Sequence, residues 1–253
     1  MSGDEPVLDE RQEFFDLFLS LKDRLDAALE RPALSVCLTS GSLNPDGAAR
    51  LFEPSLESGS ETESLDGLAR VRQALGDCRR CALHTGRRNI VFGEGHPRAR
   101  LVFGGEAPGA EEDLTGRPFV GKAGQLLTRI IGAMGLKREE VYICNILKCR
   151  PPGNRNPLPG EIDACEPFLI QQLAAIQPKV ICTLGSVAAN ALLKNDTPIT
   201  ALRGRFRTYT GIDLMPTYHP AYLLRNPGAK KQTWEDVQEI MKRLNETRRE
   251  GEP

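Results

Sequence analysis

The chain has 253 residues, 40% of them hydrophobic, with 33 basic against 34 acidic side chains and a net charge of −1. That suits one large domain, or one domain with an extension, built on a sizeable core; it excludes global disorder and gives no bulk electrostatic sign of a nucleic-acid binder. No apolar run approaches the roughly 20 residues that cross a bilayer, and the opening MSGDEPVLDE is acidic with no apolar signal core, so a cytoplasmic protein without membrane contact is expected, in which disulfides are uncommon.

Residues 9–30 place Phe14, Phe15, Phe18, Leu21, Leu25 and Leu29 at helical spacing, and Arg31-Pro32 marks an end. Residues 31–66 are rich in Ser, Gly, Pro and Glu without apolar periodicity and read as a flexible linker. Residues 1–66 are therefore expected to form an N-terminal extension, its helix a candidate dock for a protein partner, and residues 67–253 the working domain. There LARVRQALGDC suits a helix, and RLVFGGE is a strand that runs into glycines. AGQLLTRIIGAMG is a helix with a Gly stop, VYICNILK a second strand, and EIDACEPFLIQQLAAIQP a helix ended by Pro178. KVICTLGS, VAANALL, IDLMPTYHP and QTWEDVQEIMKRLNE continue as strand, short helix, strand and final helix.

Strands alternating with helices predict an α/β fold of three layers, α/β/α, around a central, mostly parallel four-stranded sheet. In such folds ligands bind beyond the carboxyl ends of the strands. Glu106, Asn145 and His219 follow or end the first, second and fourth predicted strands. LRGRFRTYTG carries Arg203, Arg205 and Arg207, which share a face if extended; a solvated strand edge explains them equally well. The basic RLNETRRE near the C terminus reads as a solvated face.

GRPFVGKAG, residues 116–124, has Gly116, Gly121 and Lys122 at the spacing of a phosphate-binding P-loop. Ala123 stands where a P-loop has a magnesium-binding hydroxyl, EEDLT just before it would repel phosphates, and Pro118 removes a backbone N–H from any phosphate nest. A nucleotide-phosphate enzyme is thus poorly supported. Phe119 is either a core plug or a stacking face for a planar ligand. The two glycines would let the backbone bend around it, and Lys122 and Ala123 would begin a helix.

Of seven cysteines, Cys78 and Cys81 form a C-x-x-C pair, and Cys149 and Cys165 could complete a four-thiolate set. Zinc and a [4Fe–4S] cluster both accept four cysteines, and spacing does not choose between them. Cys182, in an apolar strand, and Cys144, expected to face away from Asn145, read as core, Cys144 with a minor claim to be a ligand in place of Cys149. Cys37 lies in the linker and reads as incidental.

With these residues in view the chain resembles the family 4, iron–sulfur class of uracil-DNA glycosylases. The matching segments are CRRCALHTGRRNIVFGEGHP, GEAPGAEEDLTGRPFVGKAGQLL, NILKCRPPGNRNPLPGEIDAC and YHPAYLLRNP; they span residues 78–227, and the QTWEDVQ helix extends the likeness to about 246. The first 66 residues fall outside it. The resemblance implies a monofunctional enzyme, and a monomer, that flips uracil out of double- or single-stranded DNA and hydrolyses its N-glycosidic bond in base excision repair. It implies a structural [4Fe–4S] cluster on Cys78, Cys81, Cys149 and Cys165. The uracil site would comprise Glu106, Ala107, Phe119, Asn145 and His219. Phe119 would stack on the ring, Asn145 would read its edge, and His219 would donate a hydrogen bond to O2 and stabilise the departing anion. Glu106, Glu112 and Asn154 would be the polar residues near water and sugar. Tyr222, Leu223, Leu224 and Arg225 would contact DNA, with Leu223 or Leu224 as the wedge.

The pattern departs from the best-known class of glycosylases in two places. Ala107 replaces an aspartate that assists water, and Gly109 replaces a tyrosine that excludes thymine. KCRPPGNRNPLPGE also lacks the histidine through which one relative links covalently to DNA. The alternative is a damage-sensing DNA-binding protein on the same scaffold, which would bind without turnover.

Overall fold

In the computed structural model of the chain, residues 61–249 are described. The expected helix over 9–30, its docking role, residues 31–60 of the expected linker and Cys37 lie outside them. The first described helix, α1 (Glu61–Leu75), begins inside the stretch read as linker and packs on α4 (Pro159–Ile176), with Gly67 set against Ala175. A Cβ at Gly67 would lie 2.9 Å from that of Ala175, so glycine is what allows the close crossing.

The sheet has six strands rather than the four expected, in the order β1-β3-β2-β4-β6-β5. The four central ones are those predicted: β2 (Leu101–Gly105), β3 (Tyr142–Asn145), β4 (Val180–Leu184) and β6 (Ile212–Thr217), all mutually parallel. β1 (Glu94–Gly95) and β5 (Arg207–Tyr209) are antiparallel edge strands, too short for any periodicity to reveal. β2, β3 and β4 are buried along their whole length, as expected for parallel strands covered on both faces. Val102, Cys144, Ile181 and Leu214 pack with Leu169 and Leu173 of α4 and Ala188 and Leu192 of α5 (Ser186–Leu193). Alternation sends Leu101, Phe103, Ile143, Cys182 and Met215 to the opposite face, where α8 (Lys230–Arg249) packs on β4 and β6. Cys144 and Cys182 are core residues, as expected.

Between β2 and β3 lie α2 (Ala110–Thr115) and α3 (Lys122–Ala133); the latter starts at Lys122 as predicted. The short helices α2, α6 (Ile199–Leu202) and α7 (Pro220–Arg225) were not anticipated; α7, opened by Pro220 in its first turn, carries the residues expected to contact DNA. β3 and β4 leave β2 on opposite sides, so the chain reverses strand order there and opens a crevice at the carboxyl ends. Of the three arginines, only Arg207 lies in a strand. Arg203 turns inward, bridging Asp236 through Nε (3.0 Å) and Nη2 (2.6 Å), with its guanidinium 5.6 Å from the Tyr218 ring. Among the described residues no helix is long and apolar enough to cross a membrane.

Candidate active site

A cavity of about 680 Å³ occupies that crevice. Its walls include Glu106 and Ala107 beyond β2, Asn145 at the end of β3, Leu184 and Gly185 beyond β4, and His219 beyond β6. Positions distant in sequence meet because parallel strands end at one edge: Gly105 pairs with Asn145, and Leu184 with Thr217.

Phe119 forms one wall. It is 6% exposed, and its backbone takes a left-handed conformation, φ 50°, strained for a side chain of its size. The loop that holds it is braced from within. Both oxygens of Glu112 accept backbone bonds, Oε1 from Val120 (2.9 Å) and Gly121 (3.0 Å), Oε2 from Gly109 (3.1 Å). Glu112 thus acts as a strut for the aromatic wall, with three backbone N–H groups on its carboxylate, and it also lines the cavity in which it was expected to lie near water and sugar. Gly116 takes φ 72° and ends α2, so it does supply the expected bend. Gly121, at φ −70°, is conformationally ordinary; the glycine that the loop needs is Gly124, whose Cβ would fall on the Phe119 carbonyl.

Asn145 is 1% exposed, and its Oδ1 is buried with no hydrogen-bond partner among the described residues. A buried amide oxygen left open costs roughly 1–3 kcal/mol unless something fills it, so this acceptor points to a ligand donor. Gly105 is what brings the wall and the amide together, since a Cβ there would lie 2.5 Å from Phe119 Cζ and would also strike Asn145 Oδ1. The doubled glycine of FGGE is the one sequence signal that could have revealed this.

His219 caps α7: its Nδ1 accepts from the Ala221 N–H at 3.0 Å. With Nδ1 an acceptor, the ring proton sits on Nε2, which is free to donate into the cavity. Burial, with Arg225 nearby, pulls the imidazole down to about 4, so the ring is neutral at physiological pH. Its ring lies 5.7 Å from that of Phe119. Gly185, φ 92°, sets its Cα against the His219 Cβ and donates its N–H to Thr217 O at 2.8 Å, holding the strand end that carries the histidine.

Glu106 lines the cavity with no side-chain partner among the described residues, and burial pushes its carboxyl up. Asn154 reaches the rim in a left-handed turn, φ 54°, but is exposed, and its Oδ1 accepts from Arg150 Nε at 2.8 Å. Its neighbour Arg155, missed from sequence, lines the same rim, held by Glu161 at 2.9 and 2.6 Å. On α7, Tyr222 stacks on Tyr218 at 5.0 Å, and Tyr222 and Leu224 are exposed. Leu223 is 1% exposed and belongs to the core, so of the two expected wedges only Leu224 is available.

Cys78, Cys81, Cys149 and Cys165 line one small second cavity, walled by Leu75, Leu83 and Leu147. Among the described residues none of them forms a disulfide. Among the described residues no three Cys, His, Asp or Glu side chains converge at metal-holding distance. The donor set nevertheless fits an anionic four-thiolate centre. Arg87, its side chain 7% exposed, donates to Cys149 Sγ at 3.4 Å and to Cys78 O at 2.6 Å, and the Lys148 N–H points at Cys165 Sγ at 3.3 Å. Burial holds Cys149 above its ordinary value and Cys165 at about 11, so a metal would have to displace protons to bind. Ala107 packs against this cysteine cluster and also lines the larger cavity.

Residues 92–239, more than half of the chain, match the family model described as the uracil DNA glycosylase superfamily. The chain is 49% identical over 158 residues to the Type-4 uracil-DNA glycosylase of Thermotoga maritima, covering 62% of this chain and 82% of that one. It is 43% identical over 185 residues to its namesake in Sulfurisphaera tokodaii (70% and 84% covered) and 43% over 190 residues to that of Saccharolobus solfataricus (72% and 88%). The crevice, its residues and these likenesses agree: the chain belongs to the type-4 uracil-DNA glycosylases of the uracil DNA glycosylase superfamily.

Proposed function

We propose that the protein is a monofunctional uracil-DNA glycosylase, which takes uracil out of the DNA stack, hydrolyses its N-glycosidic bond and leaves an abasic site for base excision repair. The observation that carries this is the open, buried Oδ1 of Asn145 beside the Phe119 ring. Uracil offers N3–H to that oxygen and O4 to the amide NH₂. Cytosine presents the reverse pair and would leave two buried polar groups unmatched, which makes its rejection steep. Phe119 supplies the stacking face.

Breaking the bond leaves negative charge on the base and positive charge on the sugar. A neutral His219 donating Nε2–H toward O2 stabilises the first. Glu106, unpartnered at the cavity wall, is the carboxylate placed to face the second or to orient water. Leu224 and Tyr222 would fill the gap left by the flipped nucleotide. Uracil-containing duplex and single strands, incubated with metal-loaded protein and then treated with alkali, are expected to break at uracil. Base-specific binding without strand scission would support the damage-sensing reading instead.

We also propose that Cys78, Cys81, Cys149 and Cys165 hold a [4Fe–4S] cluster, supported by four unpaired thiols around one cavity, the adjacent Arg87 cation and membership of the type-4 family. When bound, the cluster would act as a structural crosslink between the loop after α1, the segment after β3 and α4. Brown protein absorbing broadly near ~400 nm is expected; a colourless protein with stoichiometric zinc would overturn it. Six described cysteines, none in a disulfide, support a reducing, cytoplasmic setting.

A further inference from the structure

Behind the base pocket lies a lysine in a place that lysine almost never takes. Lys148 is 0% exposed, and among the described residues no carboxylate is a hydrogen-bond partner of its amine. Its Nζ donates to the Asn145 carbonyl at 2.8 Å and to Gln172 Oε1 at 2.6 Å. Gln172, equally buried on α4, passes the network on through Nε2 to Phe92 O (3.0 Å) and Tyr142 Oη (3.2 Å). An apolar side chain would fill this space without the cost of burying a polar amine.

The placement has a geometric consequence. The peptide joining Asn145 to Ile146 is gripped at both ends: its N–H donates to Gly105 O at 2.9 Å, and its carbonyl accepts from Lys148. Fixing that plane fixes ψ of Asn145 at the point where the chain leaves the sheet, and so stabilises the direction in which its side chain emerges. The backbone of the same lysine is held by Cys165 Sγ on its N–H (3.3 Å) and by the Val91 N–H on its carbonyl (2.8 Å). One residue thus joins the four-cysteine site to the base-reading amide.

We infer that Lys148 is a positioning residue for Asn145, transmitting the order of the four-cysteine site to uracil recognition. The inference rests on the reading of Asn145 as the residue that recognises the base. Recognition of an edge by paired hydrogen bonds fails when the donor and acceptor are displaced by about half an ångström or rotated by ten to twenty degrees, and Lys148 holds that tolerance.

The test measures, on the metal-loaded full chain, the inhibition constant of free uracil and the dissociation constant for abasic-site DNA, in wild type, Lys148→Met and Asn145→Ala. An inhibition constant does not depend on how much of the enzyme is folded, so general destabilisation leaves it in place. Lys148→Met is expected to weaken uracil about tenfold, the scale of one hydrogen bond, with abasic-site binding and metal content unchanged. If Asn145→Ala weakens uracil and Lys148→Met does not, the inference falls and the base-reading site stands. If neither moves uracil, the site assignment falls and takes the inference with it. Weaker uracil binding that tracks loss of metal in Lys148→Met also overturns it. Should that variant not fold, Gln172→Met frees the Lys148 amine from its second acceptor; a rise in the uracil constant in the same direction is expected, and an unchanged value overturns the inference.

Discussion

His219 shows how a single residue's environment sets its chemistry. A histidine near its ordinary value would change charge between pH 6 and 7, and an imidazolium would alter the charge on the donor to uracil O2. Burial and Arg225 bring this one to about 4. The turnover rate is therefore expected to show no inflection between pH 6 and 7, and a histidine-like step there would contradict the neutral donor. The same depression means that the folded state binds fewer protons than the unfolded chain as pH falls below the ordinary histidine value. This residue's contribution to stability is thus present at neutral pH and is lost between about 6.5 and 4. Glu106 has the opposite shift: burial raises it, so its ionised form is lost at higher pH than for an ordinary carboxylate. Turnover should decline on the acid side through that raised value. Glu106→Gln is expected to lose about a hundredfold in turnover while raising the melting temperature, because it removes a half-buried carboxylate that has no side-chain partner among the described residues. A variant that keeps its rate and its acid limb would remove Glu106 from the mechanism.

The elements around the site were unequally legible. The four central strands and the helices α3, α4, α5 and α8 follow from apolar runs and helical spacing, and each was found within a few residues of its predicted bounds. What periodicity could not supply was the loop from Gly109 to Gly124, because its shape is set by Glu112 reaching back to three backbone N–H groups. The amide of Glu112→Gln retains one accepting oxygen, so the variant should lose about 1.5–3 kcal/mol of stability and raise KM more than it lowers kcat. Equal loss in both would mean that the carboxylate acts in the chemistry. Gly105→Ala tests the other support: its methyl would enter the space of Phe119 Cζ, so uracil excision should fall at least a hundredfold, because misplacement by about an ångström is enough for that. Circular dichroism should remain native, and retained activity would show that the wall and the amide need not sit so close.

At the scale of the whole molecule two sites share one frame. The crevice opens where β3 and β4 diverge from β2, and the cysteine cavity lies behind it, joined through Ala107 and Lys148. Removing residues 1–60 should therefore leave uracil excision within about threefold of the full chain, since that cost corresponds to less than about 1 kcal/mol. A loss beyond tenfold, with metal content unchanged, would place part of the machinery in the extension.

The sequence by itself determined the α/β class, the four central parallel strands to within a few residues, and the family, because those rest on local apolar pattern and on ordered motifs. The tertiary structure decided which side chains are free to act. It set Glu112 to bracing, put Leu223 in the core and left Leu224 exposed, placed the imidazole proton on Nε2, and buried a lysine behind Asn145. The physical reason is that availability depends on what else fills a group's hydrogen bonds and on how far water is excluded. Both are properties of neighbours brought together from distant parts of the chain.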